Sequence, residues 1–403
     1  MPPDHDRSIV IVGAGAAGTG TALALRRNGH RGAITLLGEE LELPYDRPPL
    51  SKGVLLGPGY LVDIALTTAD ELRAQRITFR PGERATGLDP TGRAVHLDRG
   101  SSIAYDVLVL ATGAGSRTLP GMSGMRNVHA LRTVGDATRL RSDLRSGRRL
   151  GVIGGGLIGL EVAASARKLG LDVTVIEPAP LPLADRLTQT VARWLVSQHT
   201  RHGVDLRLGT GVGDYRIEDD TVTSLVLTDG CEVPVDAVLV CVGASPHTQW
   251  LVDSGLPLDN GVVCDEYQRV AENVYAVGDL AYGFHPVYGR RLRMETRSNA
   301  SEGAAHLARS LMSGPAPYLP VPFFWTDQYD FKVQAFGAVD PLDDVEFVHG
   351  SVEEDRWILV GRRDGRLRSV IARDSGKRLL QWRRLLHGEF VASDHPHAIH
   401  TVG

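Results

Sequence analysis

The chain has 403 residues, which is long enough for two or three domains. Its formal net charge of −4 is nearly balanced, so the composition gives no sign of a nucleic-acid-binding or membrane-surface protein. No apolar run reaches the roughly 18 residues that a spanning helix needs, and the short polar N-terminus shows no signal peptide, so we expect a cytoplasmic location.

The first motif is a dinucleotide-binding fingerprint. An apolar run, Ser8–Val12, predicts a strand, a G-x-G-x-x-G sequence follows at Gly13–Gly18, and an Ala- and Leu-rich segment predicts a helix to about residue 28. In such a turn the glycines permit tight geometry, approach to a pyrophosphate and close packing of helix on strand. A second strand is predicted over 33–37, after which Glu39 can bind ribose hydroxyls. The alternative is a glycine-rich turn with a surface Glu39.

A proline-rich stretch, Leu43–Lys52, follows this fingerprint. Its prolines fix φ and remove backbone donors, so we expect a rigid loop that starts a short helix near Leu50. The loop can hold two cations, Arg47 and Lys52, against an anionic or redox-active ligand. By itself the stretch is equally compatible with a surface turn that carries two solvated charges.

A second fingerprint follows a buried strand, Tyr105–Leu110, and its closing segment, Ala111–Ala114. It consists of a predicted strand over 149–153, the sequence Gly154–Gly159, a helix over 157–169 and a strand that ends before Glu177. Two fingerprints predict two bound dinucleotides. The alternative is a duplicated fold whose second copy has lost its ligand.

Glu177 carries the prediction of coenzyme preference. An acid at this position binds the adenosine 2′-hydroxyl and repels a 2′-phosphate, which favours NADH over NADPH. The next two residues supply no arginine for a phosphate, whereas Arg186, slightly further on, is a counter-indication.

Two later segments predict where the chain leaves and re-enters its domains. A strand over 236–242 is closed at Gly243, and another over 273–277 ends in Gly278 and Asp279. Asp279 can bind sugar hydroxyls, although the pattern also suits a helix N-cap.

From about Tyr318 the composition shifts to aromatic residues and then to short strands. The run Phe323–Tyr329 forms either core or a face over a planar cofactor. Strands are predicted over 331–336, 357–360 and 367–372, followed by a basic helix over 377–386, which together indicate a third, α+β domain.

The three cysteines form no C-x-x-C pair, and we expect none of them to lie near a fingerprint turn. We therefore expect neither a redox-active disulfide nor a metal site, and we expect Cys241 to be a buried small hydrophobe.

The predicted fold class is α/β, with two Rossmann-like domains and a C-terminal α+β domain. The first dinucleotide-binding domain is discontinuous, 1–113 and 244–318; the second, 114–243, is inserted into it; and the third domain is 319–403.

The order of these motifs resembles the two-dinucleotide flavoprotein reductases, and more closely the NADH-dependent ferredoxin reductases that serve oxygenases. The resemblance covers essentially the whole chain and rests on residues 43–52, 152–161, 275–279 and 324–329. It implies FAD in the first fingerprint and NADH in the second. Hydride would pass from NADH to flavin N5, and single electrons to a 2Fe–2S ferredoxin that supplies an oxygenase. The alternatives are a rubredoxin reductase and an NADH-sensing flavoprotein resembling apoptosis-inducing factor.

The resemblance also implies roles at matching positions. Lys52 and Glu161 would be a catalytic ion pair beside flavin N5. The implied FAD-binding residues are Gly13, Gly15, Ala16, Ala17, Gly18, Glu39, Arg47, Lys52, Ala85, Ala111, Thr112, Gly113, Arg132, Gly278, Asp279, Arg297 and Trp325. The implied NADH-binding residues are Gly154, Gly156, Leu157, Ile158, Gly159, Glu161, Glu177 and Gly243.

One implied FAD-binding position departs from the family. Relatives often carry an apolar or aromatic residue where Arg297 stands. Its guanidinium would raise the flavin potential or alter nicotinamide stacking, or would point to solvent.

Three arginine-rich stretches are candidates for the partner surface. Residues 290–293, 362–368 and 377–384 would meet an acidic ferredoxin or simply be solvated faces. We expect a monomer or weak dimer that binds neither nucleic acid nor membranes.

Overall fold

The computed structural model describes residues 5–57 and 63–394. Its α-helices are α1 Ala16–Arg27, α2 Gly53–Leu56, α3 Ala69–Ala74, α4 Val134–Ser146, α5 Leu157–Lys168, α6 Ala184–Arg201, α7 Arg297–Ser313 and α8 Gly376–Asp394. Short 3₁₀ helices are Pro48–Ser51, Gln249–Ser254, Gly278–Leu280 and Pro286–Tyr288.

The strands are mostly short. They are β1 Ile9–Val12, β2 Ile34–Gly38, β3 Ile77–Pro81, β4 Ala85–Asp89, β5 Ala94–Leu97, β6 Ser102–Ala104, β7 Val107–Leu110, β8 Ala114–Ser116, β9 Val128–His129, β10 Arg149–Ile153, β11 Asp172–Glu177, β12 Val204–Leu208, β13 Val212–Glu218, β14 Thr221–Leu227, β15 Glu232–Pro234, β16 Ala237–Val240, β17 Ala244–Pro246, β18 Leu258–Asp259, β19 Gly261–Cys264, β20 Arg269–Ala271, β21 Val274–Ala276, β22 Ala281–His285, β23 Arg290–Leu292, β24 Phe323–Gln328, β25 Phe331–Gly337, β26 Asp344–His349, β27 Trp357–Arg363 and β28 Arg366–Arg373.

The first sheet has the order β20-β21-β7-β1-β2-β3, and all of its strand pairs except β20–β21 are parallel. Strands β1 and β7 are buried along their whole length, as expected for central strands covered on both faces. Helices α1 and α7 pack together in this part of the molecule. Because β21 pairs with β7, residues 274–276 return to the sheet that the N-terminal segment begins.

The second sheet repeats the parallel arrangement in the order β12-β11-β10-β16-β9. A three-stranded antiparallel sheet, β13-β14-β15, lies beside it. The chain enters this region through β8 and leaves through β17, and these two strands pair antiparallel. We call this pair the β8–β17 ribbon.

The C-terminal segment forms an antiparallel sheet in the order β24-β25-β28-β27-β26, with α8 packed on β28. Its core reaches α6, since the rings of Trp194 and Trp357 meet edge to face with centroids 5.6 Å apart.

These observations confirm the predicted fold class, an α/β chain with an α+β C-terminal part. The domain boundaries stay a prediction, and residues 1–4, 58–62 and 395–403 of those ranges lie outside the described residues. The strands predicted near 331, 357 and 367 are present. Strands β24 and β26 were not predicted; β24 coincides with the aromatic run.

Within residues 5–57 and 63–394, no helix is both long and apolar enough to span a membrane. The same residues contain no cluster of three His, Cys, Asp or Glu side chains placed to hold a metal. All three cysteines are free.

The prediction that no cysteine lies near a fingerprint turn is wrong for Cys241. A Cβ on Gly154 would lie 2.3 Å from the carbonyl oxygen of Cys241, because that carbonyl closes the second fingerprint turn. The Cys241 residue is half-buried, and burial raises the pKa of its thiol to about 12. It is therefore unsuited to act as a thiolate near neutral pH.

Candidate active site

A cavity of about 660 Å³ lies where the two parallel sheets and the C-terminal sheet meet. Fifteen of the predicted FAD-binding residues line it: Gly13, Gly15, Ala16, Ala17, Glu39, Arg47, Lys52, Ala85, Ala111, Thr112, Gly113, Arg132, Asp279, Arg297 and Trp325. Leu157, Ile158 and Glu161 of the predicted NADH set also line it. The other predicted residues lie outside this lining: Gly18, Gly278, Gly154, Gly156, Gly159, Glu177 and Gly243.

The first fingerprint turn leaves room for a ligand only at one glycine. A Cβ on Gly13 would lie 2.2 Å from the Ala111 carbonyl oxygen, and one on Gly18 would lie 1.8 Å from the Gly13 carbonyl oxygen. A Cβ on Gly15 would meet nothing within 4 Å. Since Gly15 precedes α1, the open space lies at a helix N-terminus, where a pyrophosphate is stabilised.

The second fingerprint turn repeats this geometry. A Cβ on Gly159 would lie 2.2 Å from the Gly154 carbonyl oxygen, whereas one on Gly156 would meet nothing within 4 Å. Glu177, at the end of β11, accepts hydrogen bonds from the backbone N–H groups of Gly155 at 2.7 Å and Ala179 at 2.8 Å. Its carboxylate is thereby fixed beside the turn.

The ion pair expected between Lys52 and Glu161 is present. Lys52 Nζ lies 2.7 Å from Glu161 Oε2, and the two side chains are 21% and 6% exposed. Glu161 also accepts hydrogen bonds from the hydroxyls of Ser51 and Thr326. The buried carboxylate is therefore fully satisfied, as its burial requires.

Arg47 and its neighbours form a second polar group in the cavity. Arg47 pairs with Glu40 at 2.8 Å and donates to the Arg132 carbonyl at 2.9 Å, while the Tyr45 hydroxyl donates to Glu40. Burial and the Glu40 carboxylate raise the pKa of Tyr45, so its hydroxyl stays protonated. The proline-rich loop is thus tied down by internal contacts.

Arg132 and Asp279, which both line the cavity, form an ion pair at 2.7 Å. The Nε atom of Arg132 is buried without a protein partner. A buried N–H without an acceptor is costly, so a group on a bound ligand is a fitting partner for it.

Arg297 does not point to solvent. Its guanidinium pairs with Asp46 of the proline-rich loop and contacts Ser301, and its side chain is 24% exposed. The solvent-facing alternative is therefore wrong, whereas an effect of Arg297 on the flavin stays a prediction.

The aromatic run Phe323–Tyr329 was predicted to form either core or a face over a planar cofactor, and its residues divide between a core position and the cavity wall. Phe324 and Trp325 line the cavity, whereas Phe323 stacks on Phe336 with ring centroids 4.2 Å apart and packs against the C-terminal core.

Sequence reasoning missed several lining residues, among them Glu40, His247 and Trp250. The Trp250 indole N–H is buried without a protein partner. The sequence offered one signal for Trp250: it is one of five tryptophans and lies shortly after Gly243, where the predicted strand over 236–242 is closed.

Two family profiles match this chain. The profile described as pyridine nucleotide-disulphide oxidoreductase covers residues 7–304, and the reductase C-terminal profile covers residues 323–398. The chain belongs to the pyridine nucleotide-disulphide oxidoreductase family. The chain is accordingly an oxidoreductase that uses FAD and NADH, as predicted.

Known proteins of the same kind match along most of the chain. Rhodocoxin reductase of Rhodococcus erythropolis is 41% identical over 350 residues, 86% of this chain and 81% of that protein. The ferredoxin reductase component of a Cupriavidus chlorobenzene dioxygenase is 39% identical over 384 residues, 94% and 92% of the two chains. The putidaredoxin reductase–putidaredoxin covalent complex contains a chain that matches with a TM-score of 0.91 at 33% identity, covering 96% of this chain and 94% of that one. The predicted resemblance is confirmed.

Proposed function

We propose that this protein passes electrons from NADH, through FAD, to a small 2Fe–2S ferredoxin that supplies an oxygenase. The observation that carries the proposal is the Lys52–Glu161 pair, which joins the FAD side and the NADH side of one cavity. The absence of any disulfide among the three cysteines supports transfer to an external acceptor. The relative named as the ferredoxin reductase component of a chlorobenzene dioxygenase supports the class of acceptor.

The residues of the first fingerprint would hold FAD. The N–H groups at the start of α1 face the space for a pyrophosphate, and Glu39 is placed to accept bonds from ribose hydroxyls. Asp279 is held by Arg132 on the same wall, where it can accept from ribityl hydroxyls. When bound, FAD supplies the conversion of a two-electron donor into a one-electron donor.

Lys52 brings a fixed positive charge to the cavity. Glu161 holds the ammonium at 2.7 Å, and the Pro48 carbonyl accepts a second bond from it at 3.2 Å. A cation fixed in a partly buried site stabilises negative charge that develops beside it without reorganisation. We infer that this pair favours uptake of hydride in the cavity.

Glu177 would select NADH. Its carboxylate is fixed beside the second fingerprint, where it can accept from a ribose 2′-hydroxyl and repel a 2′-phosphate.

The arginine-rich stretches differ in how far they are free to meet a partner. Arg362 pairs with Glu346, Arg363 with Asp340 and Asp343, and Arg383 with Glu302. By contrast, Arg290 is exposed on β23, a few residues before the cavity-lining segment 295–297. Arg291 beside it is also exposed and donates to the backbone carbonyl of Cys264 at 3.0 Å rather than to a carboxylate. We infer that an acidic ferredoxin meets the protein near β23.

The test is anaerobic stopped-flow mixing of the FAD-loaded protein with NADH and separately with NADPH. The proposal predicts rapid bleaching of the flavin band by NADH, and fast recovery on addition of a 2Fe–2S ferredoxin. If the flavin band recovers with rubredoxin and not with ferredoxin, the electron acceptor is a rubredoxin instead of a ferredoxin. Reduction over many minutes without transfer to either protein would favour the NADH-sensing alternative.

The surface near β23 has its own test. Arg290→Glu should weaken transfer to ferredoxin several-fold at low salt and leave reduction by NADH unchanged, since only the encounter is affected. Arg216→Glu, on β13 of the NADH part, is the matched control. The cytoplasmic location and the monomeric or weakly dimeric state stay predictions.

A further inference from the structure

A chain of hydrogen bonds leads from Glu161 away from the cavity. The Thr326 hydroxyl lies 2.7 Å from Glu161 Oε1, and the Gln328 side-chain nitrogen lies 3.0 Å from that hydroxyl. His199 Nε2 lies 2.7 Å from Gln328 Oε1, and the Tyr329 hydroxyl lies 2.9 Å from His199 Nδ1. We call these four residues beyond Glu161 the Tyr329–Thr326 chain.

The chain is buried at its centre. Thr326 and His199 are 0% exposed and Gln328 is 3% exposed. Buried polar groups persist where hydrogen bonds satisfy them, and these bonds are stronger in a low-dielectric interior. The outer end of this hydrogen-bond chain is held by a ring contact, since His202 stacks on Tyr329 with ring centroids 3.7 Å apart.

The chemistry of the end group fixes the direction of every bond. An ionised carboxylate only accepts, so the Thr326 hydroxyl donates to Glu161 and in turn accepts from the Gln328 amide. The Gln328 oxygen then accepts from Nε2–H of His199, which leaves Nδ1 to accept from Tyr329. All four donors therefore point toward Glu161.

The direction of the chain requires a neutral histidine. Burial lowers the pKa of His199 to about 4, and burial raises the pKa of Tyr329. Near neutral pH the imidazole therefore carries one proton and the phenol keeps its own.

The amide in the middle excludes a role as a proton conduit. A primary amide neither gains nor loses a proton near neutral pH, so Gln328 interrupts proton hopping between His199 and Thr326. What the chain transmits is orientation and dipole direction.

We propose that His199 and Gln328 are positioning residues that hold the Glu161 carboxylate in place, and through it hold Lys52 in the flavin cavity. They join α6 and β24 to the carboxylate on α5, so their effect depends on the packing of the C-terminal sheet against the NADH part. The inference needs FAD in the cavity but not the proposed ferredoxin, so the two can fail separately.

The experiment compares FAD-loaded variants along the chain: Thr326→Val, Gln328→Met, His199→Phe and Tyr329→Phe. Each removes one link while it keeps approximate shape. Lys52→Met and Glu161→Gln serve as references for a disturbed ion pair. The readouts are the midpoint potential of the bound flavin, its visible spectrum, the limiting rate of reduction at saturating NADH, the Kd for NADH and the melting temperature.

We expect the potential and the spectrum to move in the same direction as in Glu161→Gln, with the effect decreasing from Thr326→Val to Tyr329→Phe. The limiting rate should fall on the order of tenfold in Gln328→Met, the equivalent of one lost hydrogen bond to a charged network. The Kd for NADH should stay within about twofold, because none of the four residues of the Tyr329–Thr326 chain belongs to the second fingerprint turn.

The matched control is His202→Phe, just after α6, which keeps a ring stacked on Tyr329 and lies outside the hydrogen-bond chain. If His199→Phe fails to fold, His199→Gln keeps a side-chain donor and should restore most of the wild-type potential. Unchanged potentials and spectra in all folded variants, with only lower melting temperatures, would overturn the inference and leave the chain a purely structural link.

Discussion

Three side-chain donors converge on the carboxylate of Glu161: the Ser51 hydroxyl, the Lys52 ammonium and the Thr326 hydroxyl. A buried charge is stable only while its partners remain, and removing one partner leaves the other uncompensated. Lys52 and Glu161 should therefore behave as one unit, in stability as well as in chemistry.

Lys52→Met should lower the free energy of unfolding by about 3 kcal/mol, the low end for a buried pair because Lys52 is 21% exposed. Glu161→Gln should also destabilise, whereas the double variant should cost clearly less than the sum of the two. Melting temperatures of the four FAD-loaded proteins measure this coupling. Additive losses would show that the pair is energetically independent.

Glu177 is the residue on which coenzyme preference depends. Glu177→Ala removes the acceptor for the 2′-hydroxyl and the repulsion of a 2′-phosphate, so the KM for NADH should rise on the order of tenfold and the preference over NADPH should narrow. Steady-state kinetics with both coenzymes measure the change.

Glu39→Ala is the matched control for this substitution, since it removes the corresponding acid after the first fingerprint. It should weaken retention of FAD and leave the NADH-to-NADPH ratio unchanged. An unchanged ratio in Glu177→Ala would refute the specificity role.

At the scale of elements, the two strand–turn–helix units place glycines for two different reasons. Gly159 is required by the protein itself, since a Cβ there would meet the Gly154 carbonyl at 2.2 Å, whereas Gly156 has open space around it. Only a glycine with open space around it, such as Gly156, indicates that a ligand approaches the backbone there.

Gly156→Ala should therefore leave the melting temperature nearly unchanged and weaken NADH binding by about tenfold or more, because the new methyl group occupies the approach to the pyrophosphate. Gly159→Ala should lower the melting temperature by several degrees, because helix α5 must move away from the turn. Calorimetry with and without NADH separates the two effects. Equal stability losses would contradict the distinction.

Elements differed in how well the sequence predicted them. The fingerprints were found because glycine spacing, a buried strand and a following acid all lie within about 30 residues. Strand β24 was read only as an aromatic run because Phe323, Phe324 and Trp325 are all half-buried, so no alternation marks a strand. Strand β26 begins with three exposed residues and lacks the same signal.

The site itself was predicted in part. A resemblance supplied Lys52 and Glu161, and the structure joins them across 109 positions of sequence. His199 carried no local signal, and Gln328 lay in the aromatic motif without a predicted role, since the two residues meet across 129 positions. Contacts of this length are set by the packing of whole sheets.

At the scale of the whole molecule, three parts of the chain meet at one carboxylate. Ser51 comes from the N-terminal part, Glu161 from helix α5 after β10 of the second parallel sheet, and Thr326 from the C-terminal sheet. The interior that holds them includes the fully buried His199.

That burial predicts an acid-sensitive step in stability. The pKa of His199 is about 4 when folded against 6.5 for an ordinary histidine, so the unfolded chain binds the proton more readily. The stabilisation from neutral His199 is present above pH 6.5 and is lost as the pH falls from 6.5 toward 4.

Between pH 7 and pH 5, the wild type should lose about 2 kcal/mol relative to His199→Gln, which has no titrating group there. Melting temperatures at the two pH values measure the difference. His202→Gln, just after α6, should lose nearly as much as the wild type, because His202 is the smallest of the causes that shift the pKa of His199. Parallel curves for wild type and His199→Gln would contradict the prediction.

The β8–β17 ribbon has a consequence for how such enzymes diversify. Ala114–Ser116 and Ala244–Pro246 run side by side as one antiparallel pair of strands. The segment between them, residues 117–243, is therefore joined to the rest of the protein through these two adjacent strands. A segment attached in this way can be exchanged between relatives as a cassette, with both splice points falling in one pair of adjacent strands. Recombination at these two positions would then let a lineage acquire a new coenzyme preference without rebuilding the flavin half or the surface that faces the electron acceptor.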